Sequence, residues 1–146
     1  MKYPVYFFSI LFFLLSVSAS AQWLKRSLNE HDDSGKRKGL WIEYWDEEEK
    51  VPMSKAWFKN DKEYKSKEYY LNGKMRLKIK WHGERIKIKY YDTNRKIEQK
   101  GWAIFDFNKE DIHFYWHGKW KYYNDRRKLI KVCLYQNGEM VKKIND

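Results

Sequence analysis

Four histidines, one cysteine and one acidic run are the residues of this chain with the means to do chemistry, and their spacing argues against it. His113 and His117 lie four apart, a separation that lets two imidazoles on a helix share a metal ion. On a strand the same spacing is roughly 13 Å at about 3.3 Å per residue, too far for one ion. His31 and His82 stand alone and read as ordinary polar positions. The run Asp46 to Glu49, "DEEE", reads as a solvated loop; paired carboxylates for glycoside chemistry need a fixed separation of about 5–10 Å in a cleft. Cys133 is the only cysteine, so an internal disulfide is ruled out, and within "LIKVCLY" it reads as a small buried hydrophobe. No G-x-S-x-G stretch, phosphate-cradling glycine loop or Cys–His pair with a credible base appears. The expectation is a protein with no catalytic residue, metal or cofactor, and not an enzyme.

What remains is charge and aromatic rings. Lys and Arg number 31 against 20 Asp and Glu, a formal charge of +11, and there are 8 Trp, 12 Tyr and 8 Phe. A surface this basic attracts polyanions such as nucleic acid, anionic lipid, acidic envelope polymers or an acidic protein; lysines on strands also keep a β protein soluble. In "KMRLKIKW" Met75, Leu77, Ile79 and Trp81 alternate with basic residues, and in "RIKIKYY" Ile86, Ile88 and Tyr90 do the same. Lys78, Lys80, Lys87 and Lys89 then share one face and are the anion-facing candidates. Trp81, Tyr90, Tyr91, Trp120, Tyr122, Tyr123 and Tyr135 are the candidates for an aromatic contact surface, because Tyr and Trp combine large contact area with a polar tip.

Alternation with a period of two belongs to strands. Asn72-Gly73 reads as a two-residue type I′ hairpin turn. His82–Arg85 gives a second reversal, and with Gly83-Glu84 at its tip Trp81 faces Ile86, Ile79 faces Ile88 and Leu77 faces Tyr90. Further breaks fall at Asp92–Arg95, Asn108–Asp111, His117-Gly118, Asn124–Arg127 and Asn137-Gly138. The chain reads as all-β: about ten short strands in an elongated, single-layer antiparallel meander of repeated hairpins. Aromatic pairs punctuate it at Tyr44-Trp45, Tyr69-Tyr70, Tyr90-Tyr91 and Tyr122-Tyr123, each followed by a polar turn and a strand.

Before the repeats, residues 1–21 carry Lys2, an apolar run from Val5 to Leu15 and small residues at Ala19 and Ala21, the layout of a signal peptide cleaved between Ala21 and Gln22. Residues 22–38 read as a flexible polar leader and 39–146 as the repeat domain, exported to a periplasm or beyond the cell. The last unit, with Gly118, Trp120, Tyr122, Tyr123, Lys128, Leu129, Tyr135, Asn137 and Gly138, resembles the MORN-repeat variants of bacterial YwqK-like proteins. Gly39, Trp41, Tyr44 and Trp45 fit a first unit, Tyr69, Tyr70, Asn72 and Gly73 a second, and Tyr90, Tyr91, Lys96 and Ile97 a third. Asp125-Arg126-Arg127 departs from the pattern by replacing its glycine turn. The resemblance implies a curved sheet used for contact with proteins or membranes; some members are labelled antitoxins, which fits poorly with export. Two expectations follow: a protein-binding or self-assembling module working through its aromatic face, or a basic sheet held on anionic lipid or an envelope polymer. Nucleic acid ranks last because export removes most of it.

Overall fold

The computed structural model describes residues 27–106 and 113–144. The signal peptide expected over residues 1–21, its cleavage position at Ala21 and Gln22, and the expected turn at Asn108–Asp111 lie outside the described residues. Ten strands follow one another: β1 (Glu30–His31), β2 (Arg37–Tyr44), β3 (Pro52–Lys59), β4 (Lys62–Tyr69), β5 (Met75–His82), β6 (Arg85–Tyr91), β7 (Ile97–Asp106), β8 (His113–Tyr123), β9 (Leu129–Gln136) and β10 (Glu139–Ile144). Each pairs antiparallel with the next, in the order β1 to β10, and the sheet is open. The sheet starts earlier than a boundary at Gly39 allows, since Glu30 already pairs with Lys38 and His31 with Arg37. Asn29 finishes this edge by imitating a backbone. Its Oδ1 accepts from the Ile42 N–H at 2.7 Å and its Nδ2 donates to the Ile42 carbonyl at 3.2 Å, which occupies groups that an edge strand leaves open.

The register of β5 on β6 matches the alternation: Leu77 opposite Tyr90, Ile79 opposite Ile88 and Trp81 opposite Ile86. From there the apolar face continues through Ala103 and Gly101 of β7 to Trp120 of β8 and Cys133 of β9. A single layer has no second sheet to cover this face, so the rings lie down on it. Trp120 is fully buried, stacked on Trp116 at 3.9 Å between centroids, and its Nε1 donates to the Trp102 carbonyl at 2.8 Å. It lies directly over Gly101, where a Cβ would come within 2.3 Å of the indole. Leu77, Ile86, Ile88 and Ala103 complete the core around it.

The turns explain why the repeat tolerates irregular spacing. After β1, β4, β6 and β8 the same two backbone bonds recur. Asp32, Tyr70, Asp92 and Asn124 each accept from the residue three ahead and donate to the lysine four ahead. That third residue has positive φ in every case, as Gly35, Gly73, Arg95 and Arg127. Asn72-Gly73 is therefore the second half of a wider turn instead of a two-residue hairpin; Gly73 alone has positive φ, and Asn72 uses its Oδ1 to hold the Lys74 N–H. Two-residue turns do occur at Asn60-Asp61 and Asn137-Gly138, where both central residues have positive φ. His117-Gly118 is not a break. It lies inside β8, where Gly118 has φ +71 and the pairing with β7 shifts between Lys100 and Trp102. Such a bulge lets one long strand bend without ending.

The position of Trp120 gives a direct test. Gly101→Ala should lower the unfolding free energy by about 1–3 kcal/mol, the usual cost of overpacking, and shift the tryptophan emission to the red; urea denaturation followed by fluorescence measures both.

Candidate functional site

Residues directly opposite one another in antiparallel strands project to the same side, so the register maps the second face of the sheet. One row runs Lys55, Lys67, Lys78, Lys89, Lys100, Lys121 across six consecutive strands, β3 to β8. The neighbouring row runs Trp57, Lys65, Lys80, Lys87, Trp102 across β3 to β7. Together the rows hold nine lysines bracketed by two tryptophans. At about 4.8 Å per strand step the first row is about 24 Å long. Lys78, Lys80, Lys87 and Lys89 surround a hollow of about 200 Å³ at its centre.

Like charges placed directly opposite one another destabilise a sheet, and none of the nine lysines forms an ion pair among the described residues. Partial relief comes from the rings. Lys65 Nζ sits 3.8 Å from the Trp57 centroid, and Arg85 and Lys87 lie 4.5 and 5.5 Å from Trp102. A cation over an indole face gains roughly 0.5–1 kcal/mol at an exposed site. The crowding still shows in the titration of the ammonium groups. Partial burial, then Lys67, Lys78 and Lys80, hold Lys65 below the ordinary lysine value; partial burial, then Lys100, Lys78 and Lys87, do the same to Lys89.

The structure brings Lys78, Lys80, Lys87 and Lys89 together as the alternation indicates. It divides the aromatic candidates. Trp81, Tyr90, Tyr122 and Tyr135 pack half-buried against the core on the apolar face. Trp120 has no exposed surface, so it belongs to the core and is withdrawn from the contact set. Tyr91 and Tyr123 border a common hollow with Lys100 and so stand on the lysine face. Lys100 Nζ is 4.9 Å from the Tyr123 ring. The aromatic pairs thus straddle the sheet. Sequence reasoning missed Lys55, Lys65, Lys67, Lys100 and Lys121, with Trp57 and Trp102. Their signal is the alternation in "SKAWF" and in "YKSK" from Tyr64 to Lys67, hidden by the register shifts at Trp57–Phe58 and Lys100–Trp102.

Comparison with known protein families, curated proteins and solved structures finds no match to this chain. The functional reading rests on geometry.

Two hollows open on the apolar face. One of about 400 Å³ over β2–β4 includes Glu43, Glu63 and Glu68, but each carboxylate is engaged, with Ser54 Oγ, Trp81 Nε1 and Arg76 respectively. The other, about 750 Å³, includes Phe58, Tyr64, Trp81 and Phe105. Cys133 is buried opposite Trp120, and no group of His, Cys, Asp and Glu suited to a metal ion occurs among the described residues.

The lysine field sets a pH response of defined sign. A lysine whose folded pKa is lowered disfavours the folded state while it is charged, so the cost is fully present at neutral pH and is relieved as pH rises through the folded value toward the ordinary 10.5. Tyr69, Tyr90 and Tyr91 are raised by burial above their ordinary 10.0 and oppose unfolding less once unfolded tyrosines ionise there. Thermal unfolding should therefore show Tm climbing from neutral pH to a maximum just below pH 10, then falling. Added salt should raise Tm at pH 7 by screening the exposed lysines and have less effect near the maximum.

Proposed function

We propose that this chain is an exported, non-enzymatic repeat sheet, MORN-like in its units, that binds a linear anionic polymer of the cell envelope along its lysine face. The observation that carries the reading is the unbroken six-lysine row from Lys55 to Lys121, flanked by a second lysine row and lacking ion pairs among the described residues. Neutralising crowded cations releases their mutual repulsion as well as the polymer's counterions. Sheet twist favours a chain over a bilayer as partner. At roughly 20–25° per strand step, five steps turn the row through roughly 100°; a flexible polymer can follow that path, whereas a planar membrane would meet only part of it.

A second reading, contact with a protein through the apolar face, draws on the hollow of about 750 Å³ among Phe58, Tyr64, Trp81 and Phe105. It ranks lower because Trp120 is buried and most of the other rings on that face are half-buried against the core.

Calorimetric titration with soluble inorganic polyphosphate, repeated over a series of salt concentrations, tests the first reading. Affinity should fall steeply with salt. The triple variant Lys78→Gln/Lys89→Gln/Lys100→Gln should bind at least about tenfold more weakly and flatten the salt slope by roughly two, while Trp81→Ala should leave binding unchanged. Sedimentation with phosphatidylglycerol vesicles but no binding to polyphosphate would replace the polymer with a membrane. Loss on Trp81→Ala alone would move the site to the aromatic face.

A further inference from the structure

At one margin of the lysine field, the turns after β6 and β8 border a separate open cavity of about 290 Å³, whose walls are Tyr91, Arg95, Lys96, Ile97, Lys100, Tyr123 and Arg127. Four of its seven residues are cationic and none is acidic. The acids nearest in sequence are occupied or turned to solvent: Asp92 Oδ1 accepts the N–H groups of Asn94 and Lys96, and Glu98 and Asp125 are exposed. Lys96 is held across the gap between the turns by a bond from its Nζ to the Asp125 carbonyl, which leaves an ammonium further donors for a ligand.

The two arginines are the telling residues. Arg95 and Arg127 occupy the same place in successive copies of the turn, with φ of 63° and 61°. Gly35 and Gly73 fill that place in the other two turns with this pair of backbone bonds. Left-handed backbone is uncommon for a residue with a Cβ and mild in cost, so glycine is the relaxed choice. The fold does not require arginine there, yet both copies that border this cavity carry it and both side chains line the wall.

We propose that this cavity is a binding site for a phosphate ester, taken as its dianion. Two guanidinium forks can each offer paired N–H donors to phosphate oxygens, Lys96 and Lys100 add charge, and the rings of Tyr91 and Tyr123 with Ile97 offer walls to the organic part. The inference rests on the polyanion reading and deepens it: Lys100 belongs both to the long row and to this cavity, so the site would receive a phosphate-bearing group at the border of the bound polymer.

Glycerol phosphate is the first probe, read by amide NMR shifts of the chain from Gln22 onward. Saturable shifts should concentrate at Arg95, Lys96, Lys100 and Arg127, with acetate at equal ionic strength giving none. The decisive variant is Arg95→Gly/Arg127→Gly. It restores the residue used by the sister turns and removes left-handed strain, so its Tm should match or exceed that of the parent while affinity for glycerol phosphate falls by about tenfold or more. Undiminished binding in this variant, or shifts spread equally over Lys78, Lys80, Lys87 and Lys89, would overturn the proposal. So would no response to glycerol phosphate and no preference for vesicles containing phosphatidic acid over phosphatidylglycerol. Binding to one of those two probes identifies a soluble or a lipid ester as the source. Polyphosphate titration separates the failures: if it still binds along the lysine row, only the cavity falls; if it does not, the polyanion reading falls with it.

Discussion

Trp120 lying flat over Gly101 is the contact on which this sheet depends. A strand pair in water cannot bury its own apolar side, and stability ordinarily comes from a helix or a second sheet laid on top. Here each strand pairs only with its neighbours in sequence, so the cover must come from side chains long enough to reach sideways. An indole can do this if the residue beneath has no Cβ. Gly101 provides the space, Trp116 stacks against the outer ring, and Tyr135 meets both edge-on. Moving outward, Trp81 with Phe105 and Trp41 with Phe58 repeat the device with edge contacts. The aromatic residues on this face substitute for part of a missing layer.

That roof on one side permits an unusual second side. Opposed lysines set about 4.8 Å apart by the strand spacing repel, and water and salt screen the repulsion only in part. A face of this kind survives because backbone pairing and the aromatic cover fix the strands regardless of what the outer side chains prefer. The same rigidity prevents the lysines from spreading apart. They keep their long stems along the sheet and some rest over Trp57 and Trp102, an arrangement that lowers the local repulsion while leaving most of the positive field directed at solvent. Charge held rigidly in this way needs little reordering when an anion arrives, which favours binding over the same number of lysines on a mobile tail.

Much of this architecture is legible in the sequence where the strand period runs without interruption. Residues 74–90 give the alternation, the turn at Gly83-Glu84, the register and the four central lysines, since each of these follows from counting by two. Reading fails wherever one extra residue enters a strand. The shift between Trp57 and Phe58 reverses the apparent sides of Lys55 and Lys65, and the one between Lys100 and Trp102 conceals that Lys100 faces Lys121. Neighbours such as Tyr90 and Tyr91 look like one feature in a string of letters although pleating sends them to opposite faces. Trp120 is the same problem in depth: nothing in "GKWKYY" tells a ring that covers the core from one offered to a partner, because the distinction lies in Gly101, a strand away. The start of the sheet was hidden for a different reason. β1 is two residues long, and Asn29 completes the edge with a side chain, leaving no periodicity to detect.

The recurring turn separates what the fold demands from what it merely accepts. Its two backbone bonds and its positive φ are the same whether the third position after its first residue holds glycine or arginine. Side-chain identity at that position is therefore free of the hydrogen-bond pattern and is opposed only by a modest backbone preference. A residue that departs from the preferred type at such a place calls for a reason outside the turn. Arg95 and Arg127 depart in the same way, in turns that are neighbours in space, beside Lys100 where the long row of lysines passes. Stacked repeats make this kind of specialisation easy: one scaffold position is presented at regular intervals along an edge, and changing two adjacent copies places two guanidinium groups at a common cavity without disturbing a single strand pairing.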